Sequence, residues 1–326
     1  MLSVNVPRGT SLERINIDVD DHGAVPDGAV WLDLYSPTHQ ENKLVEQALG
    51  IAVPTREEMQ EIEVTSRLYV ENGARYMTAT LMCHSDSDVP RTTAVTFILS
   101  GHRLVTVRYD EPKPFTIVGA KLARHCPSTI AGETIMMDLL DAVIDRAADI
   151  LEKLGSDVDA VSHEILEPEG VVSRTQSFKN ILKSIGRKGD HTSKVRESLV
   201  SIGRLLLYLA AEADSMRWAK EQRAALKGMQ RDVQSLSDHA TYLSQKINFL
   251  LDAMLGVVSL EQNNIIKIFS VAAVVFMPPT LIASIYGMNF RHMSELEWDY
   301  GYPFALALML LAAIVPYYFF KWMKWL

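Results

Sequence analysis

The sequence predicts an α+β domain followed by long helices and two C-terminal transmembrane helices. Three observations predict it: strand-like runs confined to the first 130 residues, helical periodicity from residue 133 onward, and two charge-free apolar runs at the end. The chain has 326 residues, 48% of them apolar, with a mean hydropathy of +0.05. That composition excludes a disordered or fibrous chain.

The α+β part comes first. Residues 30–35 (VWLDLY), 75–84 (RYMTATLMCH), 94–99 (AVTFIL) and 103–108 (RLVTVR) have strand length and strand residues. Ser100, Gly101 and His102 read as a hairpin connection between the last two. Thr38 or Ser36 with Glu41, and Thr55 with Glu57 and Glu58, read as capped helix starts.

The helical part follows. Ile135, Leu139, Ala142, Val143, Ile150, Leu154 and Val158 recur at three- and four-residue spacing. Pro168 and Gly170 break that pattern. A further helix is predicted over residues 192–226, with a turn at Lys227 and Gly228. The next starts near Gln230 and meets no breaker before residue 286. That makes roughly 57 residues, or about 85 Å of stalk at 1.5 Å per residue.

Residues 268–286 and 302–320 carry no charge. A helix crossing about 30 Å of hydrocarbon needs roughly 20 apolar residues, and both runs fit. Tyr286, Trp298, Tyr300 and Tyr302 flank one side, and Trp322 and Trp325 the other, as an interfacial belt would. The predicted boundaries are 1–132 (α/β domain), 133–264 (helical domain and start of the stalk), 265–287 (first span), 288–301 (loop) and 302–326 (second span and tail).

Charge gives an orientation and excludes some functions. The net charge is −8. Four basic and three acidic residues lie after Asn264, leaving 28 basic and 37 acidic residues before it, a net −9. Such acidity argues against nucleic acid as a partner. Lys267, Lys321 and Lys324 flank the outer ends of the span pair, while the loop holds Arg291 against Glu295, Glu297 and Asp299. The positive-inside bias puts both termini in the cytoplasm. The first thirty residues hold no apolar core of signal-peptide length, and Cys83 and Cys126 form no CxxC pair, which agrees with that side.

No phosphate-loop motif is present, and His163-Glu164 lacks a second histidine at metalloprotease spacing, so no enzyme is expected. No Asp, Glu, His or Arg lies in either run, which argues against a proton-relay carrier. What remains is a passive route. A divalent cation gains about 4.6 kcal/mol per 100 mV of inside-negative potential, so influx is the expected direction.

At the end of the first span stands YGMNF, residues 286–290. GMN abutting the end of the penultimate membrane helix resembles the CorA magnesium/cobalt transport family. The resemblance runs from Ser259 to Leu326 through SLEQNNIIKIFSV, VVFMPPTLIAS and GYPFALALML, and more loosely from VWLDLYSP onward. The family's MPEL loop stands here as Met293, Ser294, Glu295 and Leu296, preceded by Arg291 and His292.

The resemblance implies a funnel-shaped pentameric channel in the inner membrane. The first span of each subunit lines its pore and the second faces lipid. Mg2+, and also Co2+, would be the cargo, with Mg2+ possible as a regulatory ion and no other cofactor. Asn289 would form an amide ring at the entrance, with Gly287, Met288 and Glu295 around it. Spacing alone leaves Gly287 and Asn289 equally readable as a helix C-cap.

Asn263, Ile266, Phe269, Ala273, Met277, Thr280 and Ser284 recur at steps of three or four on one helix face. By family match that face lines the pore: Thr280 as a polar ring, Met277 and the Ile266/Phe269 pair as apolar constrictions, Asn263 as the inner polar ring. Ordinary helix packing gives the same spacing. Pro278 and Pro279 free the carbonyls of Val274 and Val275 and are expected to bend the helix.

The family also implies a regulatory divalent cation between cytoplasmic domains. Asp86 and Asp88 facing Asp232 or Asp238 of a neighbour are the candidates. Two other functions fit the sequence: transport of Zn2+, Ni2+ or other transition metals by the same architecture, and a membrane-anchored cytoplasmic sensor.

Overall fold

The computed structural model describes residues 1–18, 24–87, 89–127, 130–166, 174–216, 218–288 and 298–323. They form two compact units, Met1–Leu250 and Leu251–Leu326.

The first unit opens with a seven-stranded mixed sheet. Its strands are β1 (Leu2–Arg8), β2 (Ser11–Ile17), β3 (Trp31–Tyr35), β4 (Leu68–Glu71), β5 (Ala74–Cys83), β6 (Arg91–Ser100) and β7 (Arg103–Arg108), in the order β2-β1-β3-β7-β6-β5-β4. Only β3 and β7 pair in parallel. The side chains of β5 alternate between the two faces. Met77, Ala79 and Leu81 join one core and Ala74 and Tyr76 the other.

Helices α1 (His39–Leu49), α2 (Arg56–Gln60) and the short α3 (Val64–Arg67) precede β4. Val45 of α1 and Met59 of α2 pack into the Tyr76 core. The helix starts at Thr38 and Thr55 are as expected. Each is a capping box, with Glu41 and Glu58 returning the bond. The expected β6–β7 hairpin also forms, turning through Gly101 at φ 60°.

On the other face lie α4 (Lys113–Arg124), α5 (Gly132–Leu166), α6 (Arg174–Glu212) and the start of α7 (Lys220–Tyr286). Phe115, Val118 and Leu122 of α4 join Leu139, Leu140 and Leu151 of α5 and Leu205, Leu206 and Leu209 of α6 in one core.

Under the sheet runs a buried polar chain. Trp31 Nε1 donates to Thr106 Oγ1 at 3.0 Å, and Thr106 donates to Asp33 Oδ1 at 2.8 Å. Arg108 forks onto Asp33 at 3.0 and 2.9 Å, and its guanidinium lies 4.6 Å from the Tyr35 ring centroid and 4.9 Å from that of Phe115. The parallel β3–β7 register, Asp33 opposite Thr106 and Tyr35 opposite Arg108, brings these groups together.

The structure differs from the sequence reading at the start of the stalk. No turn forms at Gly228; α7 begins at Lys220 and runs 67 residues. Helix α6 ends at Glu212, and in the connection Trp218 is buried and Arg223 reaches back to Trp218 O and to the Asp214 carboxylate. Leu226, Met229 and Val233 bury themselves on either side of Gly228, and that packing outweighs glycine's helix penalty of about 1 kcal/mol.

The second unit holds the end of α7 and α8 (Gly301–Trp322). Both helices are long and apolar enough to cross a membrane. Helix α7 continues through Pro278 and Pro279 without interruption.

Candidate functional site

The second unit gives the first span two unlike faces. Val271 is 5% exposed, and Val275, Pro278, Ile282 and Tyr286 are half-buried. On α8 the covered positions are Gly301, Ala305, Met309, Ala312, Ala313, Pro316 and Phe320. Gly301, Ala305, Ala312 and Ala313 among them are small, a composition suited to helix contact in a membrane. These are the faces the two spans turn toward each other.

At about 3.6 residues per turn, the stripe of Asn263, Ile266, Phe269, Ala273, Met277, Thr280 and Ser284 falls on the opposite side of α7. All seven are exposed, with Ile266 at 61%, Met277 at 67% and Phe269 at 72%. The predicted residues therefore share one face, and among the described residues nothing in their own chain covers it. The Thr280 hydroxyl donates to Phe276 O at 2.7 Å. Its proton is committed to the backbone, so its lone pairs stay free to accept from a cation's hydration water.

Gly287 follows the last residue of α7. Its φ is not positive, so a left-handed turn is not what requires glycine there. An added Cβ would lie 3.1 Å from Ala283 O, the carbonyl to which Gly287 N donates at 2.9 Å. Met288 N donates to Ile285 O at 3.2 Å. Beside them a cavity of about 410 Å³ is lined by Ala283, Tyr286, Trp298, Tyr302 and Ala305. Asn289 and Glu295, with Arg291 and His292, lie outside the described residues.

The four aspartates proposed for regulation are less uniform. Asp86 is bound by Lys113 and, at 2.7 Å, by Arg146. Those two cations push its carboxyl down to about 2. Asp238 accepts from Gln234 Nε2 at 3.1 Å. Asp232 lies near Asp141 of α5, whose own carboxyl is pushed up by burial and then by Asp145, Asp138 and Asp232. Sequence reasoning missed Asp141, although Asp138, Asp141 and Asp145 do share a three- and four-residue spacing. Asp88 is outside the described residues. Among the described residues no group of three or more His, Cys, Asp or Glu is gathered as a metal site.

An α+β sheet unit with a long helix and two helices apolar enough to cross a membrane, and an exposed charge-free stripe on the first, defines a class of two-span membrane proteins. The comparisons specify it further. The profile of a family described as CorA-like Mg2+ transporter protein matches residues 26–322. The chain belongs to that family. It is 34% identical to the magnesium transport protein CorA of Pasteurella multocida over 312 residues, 96% of each chain. It is also 34% identical to that of Yersinia pseudotuberculosis over the full length of both. Its fold matches the complete CorA magnesium transporter of Methanocaldococcus jannaschii with a TM-score of 0.78, at 18% identity, over 100% of this chain and 99% of that one. The full-length CmaX protein matches with a TM-score of 0.69 at 12% identity, over 99% and 97% of the two chains.

Proposed function

We propose that this chain is one subunit of a homopentameric Mg2+ channel of the inner membrane, with both termini in the cytoplasm and Co2+ as a second cargo. The observation that carries this is the uncovered α7 stripe. Two helices cannot enclose a pore, and a face left open opposite the α8 contact closes one only when copies of α7 meet around an axis. The magnesium transport activity named for the relatives supplies the cargo, and the family resemblance supplies the count of five.

On this reading α8 faces lipid and the stripe faces the ion. Mg2+ sheds water reluctantly, so it passes hydrated, accepted by oxygens of Asn289, Ser284, Thr280 and Asn263. Met277, Phe269 and Ile266 narrow the path with apolar rings that stop ions by dewetting. With no ionisable group on the stripe, the membrane potential drives influx. The regulatory set, Asp86 and Asp88 with Asp232 and Asp238 of a neighbour, belongs to the same proposal. A Mg2+ ion at Asp86 would have to displace Lys113 or Arg146.

Ion-resolved flux into proteoliposomes tests the proposal. Mg2+ should enter down its gradient, and Asn289→Ala should abolish or greatly reduce entry while the oligomer still assembles. Wild-type flux through a correctly assembled Asn289→Ala protein, or Zn2+ and Ni2+ entry without Mg2+ entry, would overturn it.

A further inference from the structure

A second site lies in the first unit. Helices α5 and α6 pack together, and Ser85, Asp86, Ser87 and Pro90 help line the groove between them. The cavity there is about 460 Å³, the size of small-molecule sites. Its walls carry five cations, Arg146, Lys153, Lys183, Arg187 and Lys188, against three carboxylates, Asp86, Asp149 and Asp157.

The carboxylates are already occupied. Asp86 is held by Lys113 and Arg146, Asp157 takes Lys188 at 2.7 Å, and Asp149 lies 3.9 Å from Arg146. Among the described residues Lys153, Lys183 and Arg187 have no ion pair. Lys153 is on α5. Lys183 and Arg187 are four residues apart on α6, about 6 Å along its axis. The groove therefore holds unmatched positive charge along its length and on both walls.

Its polar floor is unsatisfied too. The buried Nε2 of His191 has no hydrogen-bond partner. Burial and then the neighbouring Lys194, with Lys153 and Lys188, hold this imidazole below its usual pKa and so neutral at pH 7. A neutral imidazole can donate one hydrogen bond through Nε2. Ser85, Ser87 and Ser184 add hydroxyls.

We propose that this groove binds a small polyphosphate anion, a chain of two or three phosphates either free or carried by a nucleotide. A single phosphate cannot meet cations on both walls and one helical turn apart, whereas a phosphate chain can. Lys153, Lys183 and Arg187 contact the phosphates.

The test is calorimetric titration of the full-length protein in detergent with tripolyphosphate, ATP and orthophosphate. Divalent ions are removed so that each anion keeps its full charge. Tripolyphosphate and ATP should bind saturably, and orthophosphate about tenfold or more weakly, because it meets fewer cations. Equal affinity for ATP and tripolyphosphate assigns the site to the phosphate chain alone; tighter ATP binding assigns it to a nucleotide.

Lys153→Ala, Lys183→Ala and Arg187→Ala combined should weaken binding about tenfold or more. Lys43→Ala, Lys220→Ala and Lys227→Ala remove the same charge elsewhere and should leave binding within about twofold. Lys153→Arg, Lys183→Arg and Arg187→Lys combined should retain it. No saturable binding of either polyphosphate at millimolar concentration, or equal weakening by the two alanine triples, would overturn the proposal. Neither result depends on Mg2+ flux.

Discussion

Replacing Asp33 by alanine should unfold the sheet unit at a markedly lower temperature. The carboxylate and the Arg108 guanidinium are each 5% exposed and meet through a forked pair of hydrogen bonds. Asp33→Ala strips both from Arg108 and removes the acceptor for the Thr106 hydroxyl. Leaving one charge of a buried pair unmatched costs about 3–5 kcal/mol. Arg108 keeps its bond to Asp110 O at 3.0 Å and its stacking on Tyr35 and Phe115, which places the loss near the lower end. At about 2–4 °C per kcal/mol for a unit of this size, the midpoint should fall by roughly 6–16 °C. The assay is thermal unfolding of the detergent-solubilised protein followed by near-ultraviolet circular dichroism. The double variant Asp33→Leu with Arg108→Met removes both charges and should recover most of the loss, since an apolar pair of similar volume needs no desolvation. A single variant that melts within about 1 °C of the parent, or a double variant that melts no higher than the single one, would refute the reasoning.

Three further outcomes are expected. Gly132→Ala should cost about 1–3 kcal/mol by the same assay, because an added methyl would run into the backbone of Arg103 and Leu104 where α5 meets the β6–β7 hairpin. Cys83 and Cys126 are buried, and burial followed by Asp110 pushes the Cys83 thiol from about 9 to about 12. Thiol reagents should therefore label neither residue in the native protein at pH 8 and both after denaturation. Because the unfolded chain loses these protons first, this contribution to stability is full below about pH 8.5 and is lost as pH rises toward 12, which alkaline melting curves will show. Ile266→Ser with Phe269→Ser should wet the inner end of the proposed path and raise basal Mg2+ leak in proteoliposomes; unchanged leak would remove these two residues from the proposed gate.

The central strands were legible because they are buried on both faces and bounded by turn residues. Strands β3, β5, β6 and β7 fall within three residues of where the sequence puts them. The strands it hides lie toward the sheet edges. Strand β1 carries Pro7, β2 alternates charged with apolar residues, and β4 is four residues long and half exposed. Helix α4 is masked by Thr116, Ile117 and Val118 beside Gly119, a run that reads against a helix until Phe115, Val118 and Leu122 pack on the sheet. The turn expected at Gly228 shows the same effect in reverse, local propensity giving way to packing. On the first span, spacing alone could not distinguish a pore face from a packing face. The covered positions, Val271, Val275, Pro278 and Ile282, show the packing side; the pore role of the opposite side is the proposal. The groove beside His191 was not legible, because its charges come from two helices and a strand connection far apart in sequence.

The claim on which the account rests is that the uncovered stripe of α7 lines the ion path. Single cysteines placed along α7 test it most directly, in a background where the native thiols are buried. A charged thiol reagent should block Mg2+ flux through Ala273→Cys, Met277→Cys and Ser284→Cys, and leave flux through Val275→Cys and Ile282→Cys unchanged. Block at Val275→Cys and Ile282→Cys, with none on the stripe, would contradict the account.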